Sequence, residues 1–255
     1  MRKTMTTVVT GAATLALAAS ALAAAARPTV AGRLNEVDLA RASGRAATDA
    51  AASGFTARVT NPYFPLLKGM RWEYRGIKDG RRMRDVVRVT GEVRRIDGVP
   101  CAVVDDRAWL DGRLAERTTD WYTQDRHGTV WYYGERTAEL DRHGHVTSRE
   151  GSWQTGANGA RAGIFMPARP RVGAAFAQEH YTGHAEDHFR VVTLHASVTV
   201  PFGAYRATAL MTREWSPLEP GVRDGKWYVK GVGVVREATL KGPVEHDELV
   251  AFRRR

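Results

Sequence analysis

Five turn dipeptides punctuate the middle of this 255-residue chain. Asp79-Gly80, Asp97-Gly98, Asp111-Gly112, His127-Gly128 and His143-Gly144 follow one another at intervals of 18, 14, 16 and 16 residues. Asp-Gly suits a two-residue hairpin, because both central residues of a type I′ turn need positive φ. Intervals of this size fit a strand, a turn and a returning strand. β-Branched and aromatic residues fill the spaces between. Over Met83 to Arg94, one alternate set is Met83, Asp85, Val87, Val89, Gly91 and Val93. The other is Arg84, Val86, Arg88, Thr90, Glu92 and Arg94, so the period is two and one face is wet.

The pattern continues through 101–109, 114–122, 129–135, 186–195, 206–215, 226–230, 232–239 and 246–252. Long amphipathic helical periods are absent after residue 58. The predicted fold is all-β: a curled antiparallel meander of roughly ten to twelve strands, forming a half-barrel or barrel-like sheet, because an open sheet that wide is unfavourable. Gly231-Val232-Gly233 reads as a strand turn rather than a phosphate cradle, since no helix follows it.

The start of the chain reads differently. Arg2 and Lys3 form a basic start, Val8 to Ala26 carries no charge, and Ala21-Leu22-Ala23 is a small-x-small cleavage site. Residues 1–26 are therefore predicted to be a helical secretory signal. Residues 27–58, rich in Ala, Arg, Gly and Ser, are predicted to be a flexible linker arm, and 59–255 the β-sheet domain. The expected product is secreted or held in the cell envelope, with no transmembrane segment in the mature chain.

Losing Arg2 and Lys3 with the signal lowers the formal charge from +10 to +8. Arginine supplies most of it, spread along the chain, and no helix-turn-helix, finger or aromatic RNA-binding signature accompanies it. A specific nucleic-acid partner is thus not expected, whereas anionic cell-envelope polymers are compatible with a basic surface. The single cysteine, Cys101, excludes an intramolecular disulfide and a multi-cysteine metal site. No Gly-x-Ser-x-Gly nucleophile elbow is present.

Two constellations could carry chemistry. The first is His180, His184 and His188, with Glu179, Glu186 and Asp187 beside them. Imidazoles at this spacing could hold zinc if a turn at Thr182-Gly183 folds them together. The competing reading is a solvated hairpin tip. The second places carboxylates among aromatics. Asp106 shares a strand face with Ala102, Val104, Ala108 and Leu110, where it either meets an arginine or holds its proton. Asp120, Asp125 and Glu135 flank Trp121, Tyr122, Trp131, Tyr132 and Tyr133. Aromatic stacking beside carboxylates is one way to build a sugar site. Trp121, Trp131, Tyr133 and Asp106 are the predicted ligand-binding residues. Against this stands ordinary pairing with arginine, with the aromatics as core.

Four stretches carry a family resemblance: NPYFPLLKGMRWEYRG (61–76), DWYTQDRHGTVWYYGE (120–135), Glu150 to Trp153 with Gly163 to Pro167, and EWSPLEPG (214–221) with WYVKGVGVVRE (227–237). On these the chain resembles a family of exported, β-rich actinobacterial proteins, although Lys230 stands where a proline is expected. The plan is also similar to periplasmic half-barrel lipoprotein carriers, which implies a curved sheet holding acyl chains. The resemblance carries over no catalytic residue. The leading expectation is an exported non-catalytic protein holding a lipid or other apolar or amphipathic ligand in its sheet. An extracytoplasmic enzyme is the second reading, metal-dependent through the histidines or carbohydrate-active through the acidic-aromatic strands. A structural cell-envelope protein is the third.

Overall fold

The computed structural model describes residues 54–254. The proposed signal over 1–26, and the arm as far as residue 53, lie outside them. Among the described residues every helix-or-strand element is a strand. In chain order these are β1 (Phe55–Thr56), β2 (Arg71–Lys78), β3 (Arg81–Ile96), β4 (Val99–Leu110), β5 (Arg113–Asp125), β6 (Val130–Leu140), β7 (Val146–Ser148) and β8 (Trp153–Gln154). Then come β9 (Arg161–Met166), β10 (Ala175–Ala177), β11 (Glu179–His180), β12 (His188–Val200), β13 (Gly203–Trp215), β14 (Arg223–Val229), β15 (Gly233–Lys241) and β16 (His246–Arg253). No helix among the described residues is long and apolar enough to cross a membrane.

Hydrogen-bonded neighbours run β10-β12-β13-β14-β15-β16-β2-β3-β4-β5-β6-β9-β11. The two ends of that order are successive pieces of one stretch. β10 pairs with β12, Gln178 follows, and β11 pairs with β9, all antiparallel. The sheet therefore curls almost to closure, which removes the exposed edges of a wide sheet. Its seam rests on ladders only three and two residues long.

The Asp-Gly dipeptides do what their chemistry predicts. Asp79, Asp97 and Asp111 take φ of 51°, 47° and 50°, and the following glycines are positive too. At the two His-Gly sites the loops are longer. Asp125 Oδ1 accepts from the amides of His127 and Thr129, and Asp141 Oδ1 from those of His143 and His145. Both loops read Asp-Arg-His-Gly. Gly231-Val232-Gly233 closes the β14–β15 hairpin, with the Val232 amide on the Val229 carbonyl. One alternation fails. Val89 pairs with Val104, but the next pair is Val93 with Ala102, so a bulge intervenes and Val93 is 59% exposed. The predicted dry face therefore ends at Val89.

The interior is filled by alternate residues of most strands, with Tyr122, Tyr132, Tyr228, Phe165 and Phe189 among its largest buried side chains. Phe64 enters from the segment before β2 and lies 4.4 Å from Phe165 and 5.2 Å from Tyr122 between ring centroids. Burying each such ring contributes roughly 2–3 kcal/mol. A second, smaller cluster forms on the sheet's outer face from Ile96, Val99, Cys101, Val103, Trp121 and Tyr133. β1 pairs with β5 beside it, and Phe55 meets Tyr133 and Trp131 edge-on at 6.1 and 6.4 Å. Burial pushes the Cys101 thiol up to about 12, which makes it a poor nucleophile.

Candidate functional site

The alternation that dries the inner face also carries acids onto it. Ten carboxylates are buried among the described residues. Asp85, Asp106, Glu116, Asp120 and Glu135 come from β3 to β6, Glu214, Asp224 and Asp247 from the opposite wall, and Glu179 and Asp187 from the seam. Two lysines, Lys78 and Lys226, are buried with them. Charges taken out of water must be paired or neutralised. Both solutions are used here.

Pairing occurs on β13–β15. Lys226 Nζ lies 3.0 Å from Glu214 Oε2 and 3.6 Å from Glu237 Oε1. Burial opposes the lysine's charge, but the two glutamates outweigh it and raise its proton affinity. Thr212 donates to Glu214 Oε1 at 2.8 Å, and Gln178 donates to Oε2 at 3.4 Å. Neutralisation governs the β3–β6 wall. Burial, then the neighbouring Asp85, pushes Asp106 well above the usual carboxylate range, and the two side chains hydrogen-bond each other. A shared proton is the expected state of two such acids in an apolar setting.

The third group combines acids with rings. Tyr132 donates to Asp120 Oδ1 at 2.7 Å, and Tyr122 stacks on Tyr132 at 4.7 Å. Glu135 is the cross-strand partner of Asp120. Glu179 reaches in from β11 and accepts from Trp153 Nε1 at 3.1 Å. Burial raises Asp120 to about 7 against the lowering effect of the Tyr132 hydroxyl. It also pushes Glu135 and Glu179 well above the usual carboxylate range, helped by the charge of Glu179 on Glu135 and of Asp187 on Glu179. Asp120 Oδ2, Glu135 Oε2, Glu179 Oε2 and Tyr122 Oη are buried and meet no hydrogen-bond partner among the described residues. Each such group costs about 1–3 kcal/mol.

A bulge assembles this group. Trp121 pairs with Gly134 but Tyr122 pairs with Tyr132, so Tyr133 is the extra residue. Tyr132 and Glu135 thereby both face inward, although an odd separation would normally put them on opposite faces. Gly134 makes it possible: its φ is 134°, and a Cβ would lie 2.4 Å from the Trp153 carbonyl oxygen.

The predicted ligand-binding residues divide between the two faces. Asp106 is inside. Trp121 and Tyr133 are buried in the outer cluster, where the Arg94 guanidinium covers Trp121 at 4.1 Å. Trp131 is half-buried and donates its Nε1 to Asp125 Oδ2 at 3.0 Å. The aromatics beside these acids are Tyr122, two residues from Asp120 on β5, Tyr132, which the bulge puts on the same face as Glu135, and Trp153 on β8.

A tight turn does form at Thr182-Gly183, bounded by a Tyr181–Ala185 bridge. It sends the histidine rings to different partners. His184 stacks on Tyr181 at 4.3 Å, and His188 stacks on Trp215 at 5.6 Å with Nδ1 2.7 Å from the Glu186 carbonyl. His180 is exposed on β11, opposite Arg161. Among the described residues no group of three or more His, Cys, Asp or Glu is arranged to hold a metal ion.

No protein-family model and no curated protein matches the chain. Two solved structures are similar to it. One is a Bacteroides fragilis protein described as exported, with a YmcC-like fold: 13% identity, TM-score 0.44, covering 75% of this chain and 99% of that one. The other is a Parabacteroides distasonis protein described as a lipoprotein: 12% identity, TM-score 0.41, covering 76% of this chain and 99% of that one.

Proposed function

We propose that this chain is an exported, non-catalytic binding protein that takes an amphipathic ligand into its barrel. The ligand's polar end carries N–H or O–H donors and rests on Asp120, Glu135 and Glu179. Its apolar body runs along Tyr122, Tyr132, Phe165 and Phe64. The observation that carries this reading is the set of four buried oxygens with no hydrogen-bond partner among the described residues, beside a stacked tyrosine pair. A ligand donating to them would recover the cost of their burial. Asp120, at about 7, can accept a hydrogen bond as a carboxylate or give one as an acid. Access follows from the seam, because Glu179 belongs to the two-residue ladder that closes it. Export rests on the basic start and the Ala21-Leu22-Ala23 cleavage site.

Native mass spectrometry of the protein recovered from its own host tests this. The expected spectrum shows an added small molecule that is lost on activation and absent from Glu135→Gln protein of unchanged melting temperature. A bare chain from the host, or identical adducts in parent and variant, would contradict it.

A further inference from the structure

The outer face of the β16–β2–β3–β4–β5–β6 wall is as basic as its inner face is acidic. Cross-strand register arranges it in rows. One row runs Arg253, Arg71, Arg88, Asp105, Thr119 and Arg136. The next runs Glu73, Val86, Arg107, Arg117 and Ala138. A third runs Glu248, Arg75, Arg84 and Trp109. Four arginine pairs therefore stand directly opposite each other: Arg253–Arg71, Arg71–Arg88, Arg75–Arg84 and Arg107–Arg117. Directly opposed like charges destabilise a sheet. The local relief is small. Arg71, Arg75 and Arg84 converge on one carboxylate, Glu73, at 3.0, 4.0 and 2.9 Å. Arg88, Arg107, Arg117, Arg136 and Arg253 are all exposed.

We infer that this wall docks a linear polyanion of the cell envelope, a polymer bearing phosphate at each repeat. Six strands at ~4.8 Å give a basic strip roughly 24 Å wide, enough for several repeats. Guanidinium forks suit phosphate oxygens in two-point contacts. A bound polyanion would turn the repulsion between opposed arginines into bridging. The face does not suit a lipid surface: none of the exposed large apolar residues, such as Val172, Phe202, Leu240 and Val244, belongs to these rows. The sequestered acids strengthen the case, since ten carboxylates counted in the formal charge are hidden from this surface.

The test is binding of the exported protein to long-chain inorganic polyphosphate, read by fluorescence anisotropy across salt concentrations. Affinity should fall by roughly a hundredfold from 50 to 200 mM salt, as four or five phosphate contacts require. Arg88→Gln/Arg107→Gln/Arg117→Gln/Arg136→Gln should weaken binding at least tenfold and flatten the salt dependence. Arg161→Gln/Arg169→Gln/Arg171→Gln/Arg206→Gln removes equal charge from exposed positions outside these rows, and should change affinity less than twofold. Melting curves establish that both variants fold. Equal losses in the two variants would overturn the inference. So would binding to phosphatidylglycerol vesicles without binding to polyphosphate.

Discussion

Tyr132 donates its hydroxyl hydrogen to Asp120 across 2.7 Å inside the barrel, yet burial still lifts that carboxyl to about 7. The folded chain thus keeps a proton that the unfolded chain, with an ordinary Asp near 3.8, has released. A group whose acid form is favoured by folding makes stability fall as pH rises between the two values. Glu135, Glu179 and Asp106 act in the same direction. Glu73, held at about 2 by Arg84 and Arg71 against the cost of burial, acts the other way, but only below about pH 4.5. Urea unfolding should therefore show lower stability at pH 8 than at pH 5. Asp120→Asn should exceed the parent by about 4 kcal/mol at pH 8 and converge with it near pH 4. A parent chain gaining stability from pH 5 to 8 would contradict this.

Lys226 is expected to be the most sensitive charge in the molecule. It is 1% exposed and sits between Glu214 and Glu237. Lys226→Met strands both acids and should cost about 3–5 kcal/mol. Adding Glu214→Gln should recover part of that loss. Denaturant midpoints of the single and double variants check the coupling, and strict additivity would show that the pair does not interact.

Gly163 tests the seam. A Cβ at this position would come within 2.2 Å of the Gln178 carbonyl oxygen. Gly163→Ala should push β9 away from the 175–180 stretch, lower stability by about 2 kcal/mol or more, and speed amide exchange at Glu179 and His180. Unchanged exchange there would mean that the barrel closes elsewhere.

Replacing Arg107 by Glu turns the Arg107–Arg117 opposition into an attractive cross-strand pair. The variant should gain about 0.5–1 kcal/mol at low salt, with the gain shrinking in 1 M salt. Thermal unfolding at both salt concentrations measures it. A loss at low salt would show that the two side chains do not face each other.

Much of this architecture was legible in the residues. Three Asp-Gly dipeptides mark tight hairpins because few other pairs tolerate two positive φ angles, and the structure places them so. The two His-Gly sites needed a wider view: the aspartate two residues ahead of each histidine, in a repeated Asp-Arg-His-Gly, builds the longer loop. The inward face of β4 was readable from Ala102, Val104, Asp106 and Ala108, which alternate without interruption. The acid-aromatic group was readable only as composition. Its members come from β5, β6, β8 and β11, and the bulge at Tyr133-Gly134 moves Glu135 across the sheet relative to Trp131. The glycine was the available signal, since a glycine between Tyr-Tyr and Glu in a strand marks either a bulge or a close backbone approach, and here it serves both. Glu179 lay outside any count along one strand, because it reaches the cluster through sheet closure.

The most direct measurement is calorimetric titration of the exported protein with dodecylamine, dodecanol and dodecyl sulfate, each below its aggregation concentration. The interior acids should select the amine, take the alcohol more weakly, and lose both in Glu135→Gln/Glu179→Gln protein that still melts cooperatively. Tightest binding of the sulfate, or amine binding unchanged in the variant, would place the ligand away from Asp120, Glu135 and Glu179.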